Sequence, residues 1–192
     1  MCIRDSTTSE IPANATLAEA AKIVKSNGKL NVWYQAQIHP NEPAAGEGAL
    51  VMIDNFVNDP AYKALLDKIN IVIVPRINPD GSYLFSRATY DGFDMNRDHM
   101  SLKAAELAQL HTAYRLFMSE VVLDTHEFTF YGAYNDDWTS AGEYMENADD
   151  LETTPATSLN NNPAVTKIGL DMAKRAFSDA TNALSLIHIS EP

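Results

Sequence analysis

The run Ile69–Pro75 (INIVIVP) does the most to limit what this chain can fold into. Five of its first six residues are β-branched, polar and apolar positions do not alternate, and a proline closes it. Such a run describes a strand covered on both faces, and strands of that kind belong to parallel sheets flanked by helices. Two other segments share its character. Lys29–Ile38 (KLNVWYQAQI) reads as a central strand and Val121–His126 (VVLDTH) as a short third one.

The segments between them have helical period. Thr16-Leu-Ala-Glu19 has the form of a capping box opening a helix that ends near Gly28. Pro43 suits a first helical turn, and Ala44–Val57 follows with Leu50, Ile53 and Val57 at core-like spacing. Ser101–Met118 is amphipathic, and Asn162–Ala180 contains a further long helix. Strands alternating with helices predict an α/β sandwich around a mostly parallel sheet. No internal repeat or low-complexity tract interrupts this order.

The two ends read differently. One DNA spelling of Met1–Ser6 (MCIRDS) is antisense to one that encodes the LSLIHI of Leu184–Pro192. Natural protein ends have no reason to be complementary. Residues 1–6 and 184–192 are therefore expected to be adapter-derived scars, outside the fold. Residues 7–183 are expected to be part of a longer protein. The sole cysteine, Cys2, falls in the first scar, so neither a disulfide framework nor a cysteine nucleophile is expected.

Composition narrows function. A length of 192 residues suits one domain, and 45% apolar residues can supply a core. The net charge of −12 argues against nucleic acid, whose phosphates need a basic face. No apolar run approaches the ~20 residues that span a bilayer. Acidity concentrates in Asn135–Glu152, read as a solvated loop, with a calcium site or a preference for basic substrates as the other readings.

The chemically interesting residues stand where strands end, the edge at which open α/β sheets build their sites. His39 and Glu42 follow the first core strand, Asn78-Pro79-Asp80-Gly81 the second, and His126 ends the third. Two imidazoles and a carboxylate match the donor set of many catalytic zinc sites. A lone His-x-x-Glu recurs in many proteins, and a structural histidine is the plain reading of His39 by itself. Residues two apart on a strand share a face, so Asp124 and His126 are expected to point the same way. Glu127 would point away. It lacks the second histidine of the helical His-Glu-x-x-His enzymes, so a structural place is expected for it rather than that of a general base. His99 is expected at a cleft or a helix start, and His111 as an ordinary helical residue. Tyr131, Tyr134 and Trp138 could line a pocket or serve only in packing.

Taken in order, His39-Pro-Asn-Glu42, Asn78-Pro79-Asp80-Gly81, Arg87, Asp94-Met95-Asn96-Arg97 and Asp124-Thr-His126 resemble the zinc carboxypeptidase family of metallopeptidases over about residues 30–131. The close spacing of Glu42 and His126 is more similar to its compact bacterial members. The resemblance implies a three-layer α/β/α sandwich with a mostly parallel mixed central sheet, incomplete at the C-terminus. It implies one Zn2+ held by His39, Glu42 and His126, with Asp94 fixing the His39 tautomer. Asp124, from the strand argument above, is a second carboxylate candidate beside the ligands. Arg87 would stabilise the oxyanion, and Asn96 and Arg97 would grip the free terminal carboxylate of a peptide substrate.

The implied activity is C-terminal peptide hydrolysis. A deacylase or amidase acting on N-acyl amino acids or cell-wall peptides is the alternative, and a catalytically dead binding domain a third. The family's general-base glutamate and capping tyrosine have no match before Ala183, so a zinc-holding but nearly inactive piece of an enzyme is the expectation. A secreted or periplasmic place rests on the resemblance alone.

Overall fold

The computed structural model describes residues 2–4, 11–12, 14–126 and 161–188. The chain divides into two compact units, Met1–Thr129 and Phe130–Pro192. The first holds a four-stranded sheet in the order β1-β3-β2-β4. Its strands are β1 (Cys2–Arg4), β2 (Leu30–Ala36), β3 (Ile69–Val74) and β4 (Val121–Thr125). β2 runs parallel to both β3 and β4, while β1 pairs antiparallel with β3. The mostly parallel mixed sheet is therefore present, with β2 central as expected.

Helices cover both faces. On one side, Trp33 of β2 and Val72 and Val74 of β3 pack with Ala21 and Val24 of α1 (Leu17–Ser26) and with Leu107 and Phe117 of α5 (Ala105–Phe117). On the other, Tyr34 and Ala36 of β2 and Ile71 and Ile73 of β3 meet Ala49 and Phe56 of α2 (Pro43–Asn58). The alternation of burial partners along β2 and β3 follows the two-residue period of a strand. That arrangement makes three layers. Two shorter helices, α3 (Pro60–Leu65) and α4 (Pro79–Leu84), complete the connections. The second unit contributes α6 (Pro163–His188).

Local chemistry explains the boundaries. Thr16 caps α1 through the reciprocal bonds of a capping box, Glu19 N–H to Thr16 Oγ1 at 3.3 Å and Thr16 N–H to Glu19 Oε2 at 2.8 Å. Asp59 and Asn78 cap α3 and α4, each followed by proline at the first helical position. The one polar residue of the apolar run, Asn70, is fully buried yet satisfied. Its amide bonds Val24 O and the side chains of Asn27 and Asn31 at 2.8–3.1 Å, tying α1 to the start of the sheet.

Cys2–Arg4 pairs antiparallel with β3, and α6 runs to His188. Two expectations change. Leu50 does not enter the core. It is 48% exposed, and α2 instead buries Gly46, Ala49 and Phe56. Gly46 packs against the Gln37 side chain, whose Oε1 an added Cβ would meet at 2.5 Å. The helix expected from Ser101 begins at Ala105. Asp98 bonds both Ser101 Oγ (2.6 Å) and Ala104 N–H (2.8 Å), holding the intervening residues in a turn. The acidic stretch Asn135–Glu152 lies outside the described residues.

Among the described residues, β4 ends the sheet on the side opposite β1. Its successive residues Val122 and Leu123 point to opposite faces and are 46% and 44% exposed.

Candidate metal centre

All three parallel strands deliver their C-terminal ends to one edge of the sheet. Beyond β2 the backbone kinks at Gln37, which has φ 52°, a left-handed value uncommon for a residue with a side chain. The surroundings hold it there. Gln37 O accepts from Asn78 N–H (3.2 Å), and its Oε1 accepts from Arg76 Nε (2.9 Å). Its amide also lies against Gly46, where an added Cβ would sit 2.5 Å from Oε1.

The kink leads into the turn His39-Pro40-Asn41-Glu42, closed by Glu42 N–H to His39 O at 3.1 Å. Proline at the second position presets such a turn. Gly81 of α4 lies beneath it; a Cβ there would come within 2.7 Å of Pro40 Cγ and of Ala88 O. The turn brings His39 and Glu42, 3% and 4% exposed, side by side. Glu42 stands at the N-cap of α2 but makes no side-chain capping bond. Its carboxylate serves the site instead. His126 arrives from the end of β4, which Thr125 Oγ1 ties to Gln35 O at 2.9 Å.

The three side chains converge. Nδ1 of His39 is 2.8 Å from Glu42 Oε1, and Nδ1 of His126 is 2.8 Å from Glu42 Oε2. The outward Nε2 atoms also face carboxylates, His39 towards Asp94 Oδ1 at 3.2 Å and His126 towards Asp124 Oδ2 at 3.3 Å. One donor atom from each of His39, Glu42 and His126 lies within 4.8 Å of the others, a group that could bind a metal ion. The donor set suits zinc: two imidazoles and one carboxylate leave a coordination position open. Carboxylates on the outward nitrogens would keep the inward lone pairs free for a metal.

Asp94 links this group to the rest of the edge. Its Oδ2 accepts from Arg87 Nε at 2.9 Å, and its Oδ1 also accepts the Asn96 N–H at 2.9 Å. That last bond caps the short 3-10 turn Met95–Arg97. Arg87 Nη1 reaches to 3.6 Å from Glu42 Oε1. Arg97 is exposed, its Nη1 donating to Asn96 O at 3.0 Å.

The charges follow this geometry. Burial works to raise the Asp94 carboxyl, but the bond and charge of Arg87, with His39, hold it below its ordinary value. Burial likewise opposes ionisation of Asp124, outweighed by hydrogen bonds from His126 and Gln35. The Asp124 bond, against opposing burial and aided by Glu42, raises His126 from 6.5 to about 8. Without a metal, this shift favours the imidazolium form of His126 between the two carboxylates.

Sequence reasoning missed two features. Gln35, on β2, lies across the ladder from Asp124. His99 Nδ1 and His111 Nε2 are 2.9 Å apart, joining the loop after the 3-10 turn to α5. Spacing could not have revealed either, because each contact is made between elements. Glu127, Tyr131, Tyr134 and Trp138 lie outside the described residues.

The family model described as zinc carboxypeptidase matches residues 4–115. Carboxypeptidase 2 of Trichophyton rubrum is 37% identical over 105 residues, covering 54% of this chain and 20% of that protein. The chain thus spans about one fifth of the length of such curated relatives. Among solved structures, carboxypeptidase A of Helicoverpa armigera superposes with a TM-score of 0.50 at 19% identity, covering 56% of this chain and 36% of that one, a likeness of fold.

Proposed function

The chain belongs to the zinc carboxypeptidase family, and on that premise we propose that His39, Glu42 and His126 hold one Zn2+ in the catalytic centre of a metallocarboxypeptidase. The observation that carries the proposal is the convergence of both Nδ1 atoms on the Glu42 carboxylate, each at 2.8 Å, while both Nε2 atoms face carboxylates.

Bound zinc would polarise a scissile carbonyl and lower the pKa of a water towards 7. The protein's own groups do the rest. Asp94 and Asp124 accept the Nε2 protons and so present neutral imidazoles inward. Arg87, braced by Asp94, offers its remaining donors to negative charge developing on the carbonyl oxygen. Asn96 and Arg97, on the turn that Asp94 caps, bind the free carboxylate at the substrate's C-terminus, Arg97 by its planar fork. The substrate of the whole protein is accordingly a peptide with a free C-terminal carboxylate.

Metal analysis tests the ligand assignment. About one zinc per folded chain is expected in the wild type. His39→Ala and His126→Ala should abolish it, and Arg97→Ala should leave it in place. An unchanged zinc content in His39→Ala would overturn the assignment.

A further inference from the structure

A carboxylate that orients a metal-binding imidazole must itself be held, and Asp124 stands on β4. Its cross-strand neighbour in the parallel β2–β4 ladder is Gln35, so the two side chains leave the sheet on the same face. That face is the one on which Trp33, two residues earlier on β2, is buried. Trp33 Nε1–H donates to Gln35 Oε1 at 2.9 Å. Across the ladder the Gln35 amide stands beside the Asp124 carboxylate and favours its ionised form.

The direction of these bonds is fixed by chemistry. An indole N–H only donates and a carboxylate only accepts. A glutamine between them must turn its oxygen to Trp33 and its NH2 to Asp124. The polar line therefore runs Trp33, Gln35, Asp124, His126, ending 3.3 Å from His126 Nε2. Its origin is rigid. Trp33 is fully buried and packs edge-on against Tyr114 at 5.4 Å and tilted against Phe117 at 6.2 Å, both on α5.

We propose that Gln35 is a positioning residue for the metal centre, transmitting the fixed orientation of Trp33 to Asp124 and through it to His126. The inference rests on the ligand assignment above and deepens it. The inner of the two outward carboxylates, Asp94, is locked by Arg87 and a backbone N–H. Asp124, on β4, has as its cross-strand neighbour an amide anchored in the core of the α5 layer. Pre-orientation of an imidazole shows as metal affinity, and outer partners of ligating histidines commonly contribute 10–100-fold.

Zinc affinity of the full 192-residue chain, measured by competition with a chromophoric chelator, tests this alongside the Tm of the metal-free form. Gln35→Met keeps length and volume but can neither accept nor donate. It is expected to weaken zinc binding about tenfold. Trp33→Phe removes the indole donor and is expected to weaken binding less. The double variant should bind zinc no more weakly than Gln35→Met alone, even if its Tm falls further, because Trp33 acts on the metal only through Gln35. Zinc affinity in Gln35→Met within twofold of wild type overturns the proposal. So do Trp33 and Gln35 effects that add, or affinities that merely follow Tm. A wild-type chain that takes up no zinc overturns the ligand assignment and this inference with it; a wild type that binds, beside a Gln35→Met that binds equally well, overturns this inference alone.

Discussion

Nε2 of His39 lies 3.2 Å from Oδ1 of Asp94, a residue 55 positions further along the chain. Between them stand β3 and α4, so the contact depends on the whole crossover being in place. The same carboxylate holds Arg87 and the turn bearing Asn96. One side chain thus sets the spacing between a candidate metal ligand, a candidate oxyanion donor and a candidate substrate grip.

Asp94→Ala should therefore be felt in two ways. Zinc affinity is expected to fall 10–100-fold. Loss of the cap on the 3-10 turn should cost about 1 kcal/mol in denaturant unfolding. Asp124→Ala should show the first effect without the second, since Asp124 caps no turn. Equal unfolding midpoints for the two variants would contradict that division.

Acidity should pull the metal-free and metal-bound forms in opposite directions. His126 is raised to about 8 in the folded chain from its ordinary 6.5. Its contribution to the metal-free fold is complete below about pH 6.5 and is lost as pH rises through about 8. Zinc must displace that proton, so apparent zinc affinity should fall as pH drops below about 8. The rise in Tm on adding zinc should accordingly grow between pH 6.5 and 8. Thermal scans at fixed zinc concentration measure it, and a pH-independent increment would speak against His126 as a ligand.

A pair of glycine replacements separates crowding from helix propensity. An alanine Cβ at Gly81 would meet Ala88 O and Pro40 Cγ at 2.7 Å. Gly81→Ala should cost roughly 1–3 kcal/mol and, by moving the His39–Glu42 turn, should also weaken zinc binding. Gly48, inside α2, has nothing within 4 Å of such a Cβ. Gly48→Ala should stabilise by about 0.5–1 kcal/mol and leave zinc binding alone.

In the whole protein, Arg87→Ala should act mainly on kcat, by about 10²–10³ if it meets charge that exists only in the transition state. Arg97→Ala should act mainly on KM. Assays with blocked dipeptides beside N-acyl amino acids check both variants and the substrate class together. Cleavage of acyl groups alone would remove the peptidase reading.

Much of this was legible in the chain before any coordinates. A β-branched run announces β3, because a doubly covered strand tolerates little else, and a mostly apolar, aromatic-bearing stretch announces β2. His39, Glu42 and His126 are visible because each follows a strand end, whereas Asp94 is implied only by the family resemblance. Other features escape one-dimensional reading. Leu50 sits at core spacing yet faces water, while α2 turns Gly46, Ala49 and Phe56 inward. The left-handed Gln37 has no local glycine to mark it, being held by Arg76 and Asn78 from the neighbouring strand end. Gln35 and Asp124 become neighbours only through strand register, and His99 and His111 only when the loop folds onto α5. Periodicity reports which side of an element is apolar. It carries no information about which two elements meet.

Glu42 and His126 stand 84 residues apart in sequence and face each other at 2.8 Å. One follows β2 at the N-cap of α2, the other follows β4. An ion shared between them would work as a removable crosslink, closing a long loop much as a disulfide does. On the chain-entropy view such a closure is worth on the order of 4 kcal/mol. The ion would then be a fastener between the ends of β2 and β4 as well as a reagent, and a chelator would loosen that junction.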